Sequence, residues 1–127
     1  MFRAPLWDDT AGMPCIFVYG TLKRGLANAA QLEGAIFERA AVTANGYVLY
    51  MVSGYPAMSR SNAGVVHGEL YTVTADQLRH LDEFEGVPEW YQREVIELAD
   101  GTRAEAYVLT TERVGEAPQI AGGRFRE

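Results

Sequence analysis

The sequence predicts an α+β fold in which a curled, mostly antiparallel sheet or small barrel carries one short helix. Several short apolar runs are separated by turn residues, and two of those turns, Asn45-Gly46 and Asp100-Gly101, have the residues of tight hairpins. One segment, residues 75–85, shows helical periodicity with both its start and its stop written in the flanking residues. Many strands and one short helix favour this class.

The elements follow in chain order. Residues 1–14 contain Pro5, Gly12 and Pro14 and hold no period, so they read as an irregular lead-in. Ile16, Phe17 and Val18 begin an apolar run that ends at Tyr19 and Gly20, short enough for a strand buried on both faces. Residues 26–34 allow a helical turn bracketed by Gly25 and Gly34. Asn45-Gly46 then joins residues 36–44 to 47–52 as an expected antiparallel pair. A turn-rich passage, 53–64, leads into a strand at 65–73.

Thr74 caps the helix, Gln77 occupies the reciprocal position of a capping box, and Val73 staples against Leu78. Gly86 and Pro88 mark the stop. Asp100-Gly101 joins 91–98 to 103–109 as a second hairpin, and from Gly115 onward Gly, Pro and charge read as a surface tail. The whole, 1–127, is expected to be one domain.

Composition narrows the function classes. Seventeen acidic against eleven basic residues give a net charge of −6, which repels nucleic acid and anionic membranes. Cys15 is the sole cysteine, so no internal disulfide forms, and the cytoplasm is the expected compartment. No apolar run approaches the roughly 18–20 residues of a membrane span. Two histidines and one cysteine at unrelated positions assemble no zinc-like set, so neither metal nor cofactor is expected, and a monomer is the default.

Glu85 is the first candidate for chemistry. At about 100° per residue, Leu78, Leu81 and Glu85 share one helix face, whereas Glu83 points away and Arg79 can pair with it. A carboxyl on the apolar stripe, in the last turn where the helix dipole is negative, has its pKa pushed upward, toward that of a general base working near neutrality. In the competing reading Glu85 pairs with Arg93 or frays at the rim. Asp82, nearer the inward face, is a possible second acid.

The loop after the first strand is the second candidate. Glycine at position 20 admits a ligand close to the backbone, and consecutive N–H groups over Gly20, Thr21 and Leu22 suit a substrate carboxylate. A plain strand exit explains the same residues. Gly20 and Gly25 have the glycine spacing of a P-loop, but Leu26 and Ala27 replace the Lys and Ser or Thr that phosphate binding requires. Lys23 and Arg24 could attract an acidic substrate. Tyr71 and Tyr91 are strand tyrosines that either line a cavity or pack in the core.

The order and spacing of four segments carry a resemblance. They are Phe17-Val18-Tyr19-Gly20-Thr21-Leu22-Lys23-Arg24-Gly25, Tyr55-Pro56-Ala57, Gly68-Glu69-Leu70-Tyr71, and Leu81-Asp82-Glu83-Phe84-Glu85-Gly86 followed by Tyr91-Gln92-Arg93. Over most of residues 16–109 the sequence resembles the gamma-glutamyl cyclotransferase-like families, especially the gamma-glutamylamine cyclotransferase branch. The resemblance implies a small β-barrel with flanking helices. It implies a glutamyl pocket built by Tyr19, Gly20, Thr21 and Leu22, with Glu85 catalytic, and a cofactor-independent conversion of a gamma-glutamyl amine or peptide to 5-oxoproline. The other function class left open is a noncatalytic module that binds a glutamate-like metabolite or a partner protein.

Overall fold

The computed structural model of the protein describes residues 13–126, so the lead-in read over 1–14 lies, up to residue 12, outside the described residues. The strands are β1 (Cys15–Val18), β2 (Ile36–Val42), β3 (Tyr47–Val52), β4 (Tyr55–Arg60), β5 (His67–Thr72), β6 (Gln92–Glu97) and β7 (Arg103–Val108). The helices are α1 (Ala75–Phe84) and the single turn α2 (Thr111–Val114), and a 3-10 turn, Ala29–Leu32, occupies the segment where a helical turn was anticipated.

The strands form one sheet in the order β2-β5-β1-β7-β4-β3, with β6 on the remaining edge of β7. The class is α+β, but two finer expectations are corrected. The sheet is mixed rather than mostly antiparallel, because β7 runs parallel to both β1 and β4. Nor does it close into a barrel: among the described residues the far edge, β2, meets the β6 end through the isolated bridge Thr43–Leu98.

The Asp100-Gly101 hairpin is present, with β6 and β7 in antiparallel register from Gln92–Val108 to Glu97–Arg103. Gly101 takes φ +89°, which suits a residue lacking Cβ. The Asn45-Gly46 hairpin is not formed. Asn45 Oδ1 and the Gly46 N–H instead tie the chain to Gly64, at 2.9 and 2.8 Å. Turn chemistry makes a reversal possible, but pairing is decided by the available edge: β2 takes the free edge of β5 and β3 turns back on β4. The β3–β4 reversal is made by Ser53 and Gly54, both at positive φ, in a two-residue loop.

β1 is buried on both faces. Phe17 and Tyr19 point into a core with Leu49, Met58 and Ile96, while Ile16 and Val18 pack under α1 with Val73, Leu78 and Leu81. The capping box holds α1 in place: Gln77 N–H donates to Thr74 Oγ1 at 3.0 Å, and Thr74 N–H donates to Gln77 Oε1 at 2.7 Å. Arg79 pairs with Asp76 and not with the exposed Glu83. The segment after Gly115 is not a loose surface tail. Gln119 bridges to Tyr50, Ile120 N–H donates to Leu49 O, and Phe125 is buried in the larger core.

Candidate active site

The cavity arises where β7 changes partners. Along one edge β7 pairs with β1 at Glu105 and Ala106, then with β4 at Val108. At this fork Tyr107 O accepts a hydrogen bond from the Tyr19 hydroxyl at 2.7 Å. The diverging strands, the loop after β1, the β3–β4 turn and the end of α1 enclose about 520 Å³. That volume falls in the range of small-molecule sites.

All six residues proposed from the sequence for the site line this cavity: Tyr19, Gly20, Thr21, Leu22, Glu85 and Tyr91. Tyr71 does not; it packs beneath α1, where its hydroxyl donates to Glu69, and burial with the adjacent Glu69 raises it to about 12.

Glu85 is the C-cap of α1, one residue past the last helical turn, and its backbone N–H donates to Leu81 O at 2.8 Å. Gly86 follows at φ +70°, ending the helix so that the Glu85 side chain faces the fork. Burial raises its pKa to about 7. Its carboxylate makes no ion pair or hydrogen bond among the described residues. Arg93, the partner in the competing reading, is engaged by Asp82 at 2.8 Å and Glu105 at 3.2 Å. Asp82 also accepts from the Tyr107 hydroxyl at 2.7 Å, so it is committed to a fixed network rather than free to move a proton to substrate.

The loop after β1 is held by its own bonds. Gly20 O accepts from Lys23 N–H, Thr21 O from Asn28 N–H, and Thr21 Oγ1 from Asn28 Nδ2. The N–H groups of Gly20, Thr21 and Leu22 donate to no group among the described residues, so three donors remain at the cavity wall. Glycine at position 20 is also dictated by packing, since a Cβ there would stand 2.6 Å from Pro56 Cγ. Lys23 and Arg24 do not line the cavity. Lys23 Nζ donates to Phe125 O, and Arg24 pairs with Glu69 and stacks on Phe37.

Two further tyrosines fix the walls. Tyr91 donates to Pro56 O at 3.0 Å, bridging the end of α1 to β4, and burial, with Glu85 nearby, raises its pKa. Tyr19 is raised too, by burial first, then by Tyr91 and Glu85. Both therefore stay protonated and act as donors. Among the described residues no Lys, Arg or His lines the cavity, and Glu85 is the one carboxyl that does. Sequence reasoning missed Tyr107, Ser53 and Trp90, which line it as well.

A family model described as gamma-glutamyl cyclotransferase, AIG2-like, matches residues 16–127. The chain belongs to the AIG2-like gamma-glutamyl cyclotransferase family. Gamma-glutamylaminecyclotransferase of Bos taurus is 35% identical over 120 residues, covering 82% of this chain and 70% of the bovine one. The Homo sapiens protein of the same name is 36% identical over 96 residues, 66% of this chain and 61% of the human one. The crystal structure of an AIG2-like protein from Mus musculus superimposes with a TM-score of 0.72 at 30% identity, covering 90% of this chain and 88% of that one. In this member of the family, the Tyr19–Leu22 segment and Glu85, far apart in sequence, meet across one cavity.

Proposed function

We propose that the protein converts a gamma-glutamyl amine or peptide to 5-oxoproline and a free amine, with Glu85 carrying the protons. The observation that supports this most is the half-buried Glu85 carboxyl, raised to about 7 and lining one cavity with the Gly20–Leu22 loop, whose N–H groups are unused among the described residues. The substrate's α-carboxylate docks on the N–H groups of Gly20, Thr21 and Leu22, which supply donors where the described residues place no cation. The α-nitrogen then lies within reach of Glu85.

In its ionised form Glu85 takes a proton from the α-ammonium. The freed amine attacks the γ-carbonyl, forming the ring C–N bond, and the tetrahedral intermediate collapses by breaking the bond to the departing nitrogen. Two protons pass in all from the α-nitrogen to that nitrogen, with Glu85 carrying one at a time. Proton transfer of this kind contributes about 10²–10⁴ in rate. Attack is intramolecular, so the cavity's other task is to hold the glutamyl chain folded. Tyr19 and Tyr91, kept protonated, shape the wall against which it folds.

Intramolecular aminolysis needs a proton carrier and orientation, and the reading invokes no cofactor. It takes the chain as one domain acting as a monomer in the cytoplasm. The test is product formation from gamma-glutamyl amides, followed by mass spectrometry. Appearance of 5-oxoproline, with kcat/KM rising with pH and levelling above about 7, is expected from the Glu85 value. Tight binding of the amides without product would support the noncatalytic module instead.

A further inference from the structure

Six large hydrophobic side chains are exposed among the described residues, and three of them, Tyr55 (63%), Trp90 (52%) and Phe84 (40%), line the same cavity. Scattered exposed apolar groups are ordinary, but their convergence at the entrance to a cleft marks a surface that is covered when ligand binds. The three come from separate elements: the start of β4, the last turn of α1, and the turn that follows it. They meet only because the fold brings those elements together.

Trp90 is fixed rather than loose. Its backbone N–H donates to Gly86 O at 2.7 Å, and its ring packs so closely on Gly86 that a Cβ there would stand 3.3 Å from Cδ1. The Arg113 guanidinium lies over the ring, 4.7 Å from its centroid, as a cation–π contact that holds the indole in place. Arg113 itself does not line the cavity, and neither does any other cation among the described residues. A leaving group carrying a carboxylate would enter an aromatic mouth with no positive partner among the described residues and with Glu85 nearby, losing hydration without compensation.

We propose that Tyr55, Phe84 and Trp90 form the subsite for the departing amine, and that it takes amines with an aromatic or hydrocarbon body and no carboxylate, an inference that rests on the reaction proposed above. The glutamyl half occupies the floor between the Gly20 loop and Glu85, and the amine's apolar body fills the mouth. A substrate of this size suits a cavity of about 520 Å³.

Three probes test it: gamma-glutamylbenzylamide, gamma-glutamylmethylamide and gamma-glutamylglycine, each scored for 5-oxoproline. The benzylamide is expected to exceed gamma-glutamylglycine in kcat/KM by tenfold or more, mainly through KM. Trp90→Ala, and separately Tyr55→Ala in case the first does not fold, should cut the benzylamide-to-methylamide ratio severalfold, and Trp90→Phe should restore most of it. Turnover of the methylamide without preference for the benzylamide would overturn the subsite and leave the reaction standing. A preference for gamma-glutamylglycine that is lost in Arg113→Gln would overturn it too, by assigning the mouth to carboxylate-bearing leaving groups. No 5-oxoproline from any probe would remove both the reaction and the subsite.

Discussion

Glu85 is a carboxyl held where its charge is disfavoured, and that has a consequence for stability independent of any substrate. Its folded-state pKa is about 7, against about 4.3 for a free glutamate. Between those values the folded protein keeps a proton that the unfolded chain has released, so stability falls as pH rises through that window. Glu85→Gln cannot ionise and should be the more stable protein at pH 8, by up to about 3 kcal/mol, with the difference vanishing near pH 4. Urea denaturation at the two pH values measures this, and a variant no more stable at pH 8 would contradict the burial of the charge. Glu85 was legible in the sequence because helical phase put it beside Leu78 and Leu81. Tyr107 and Trp90 were not. Alternation along β7 makes Tyr107 one buried residue among neighbours, and only the fork in pairing turns it toward a cavity. Trp90 lies in an irregular turn with no period to place it.

At the scale of elements, the local devices written in residue chemistry formed as read: the capping box of α1, its glycine stop and the Asp100-Gly101 hairpin. The choice of strand partner was less legible. Asn45-Gly46 looks as good a hairpin as Asp100-Gly101, yet β2 pairs with β5, because register depends on edges supplied by distant segments. The Ser53-Gly54 turn was lost inside a polar passage, although it sets the rim of the site. The loop after β1 and strand β4 are interlocked through glycine at position 20. Gly20→Ala should therefore cost about 1–3 kcal/mol through overpacking against Pro56 and lower kcat/KM by displacing the loop donors. A thermal melt with a parallel turnover assay checks both. Asp82→Asn, which weakens the hold on Arg93 and Tyr107, should reduce kcat more than KM, and Asp82→Glu should recover part of the loss if the network acts by positioning the wall.

The whole molecule is organised around β7, which gathers β6, β1 and β4 and leaves the cavity at the point of exchange. A barrel was the natural expectation from many strands and two hairpin signals, but hairpin signals carry no information about parallel pairing or closure. The final segment closes one side of the larger core. Phe125 packs there while its carbonyl takes the Lys23 ammonium, so the end of the chain also anchors the loop that carries the Gly20–Leu22 donors. Phe125→Ala should cost about 3 kcal/mol, read as a lowered urea midpoint. The central claim is that one sheltered carboxyl moves the protons of ring closure. Its most direct test is 5-oxoproline formation by Glu85→Gln beside the unaltered protein, with circular dichroism confirming that both are folded. A fall of at least about 10²-fold in the variant is predicted, and equal rates in two folded proteins would contradict it.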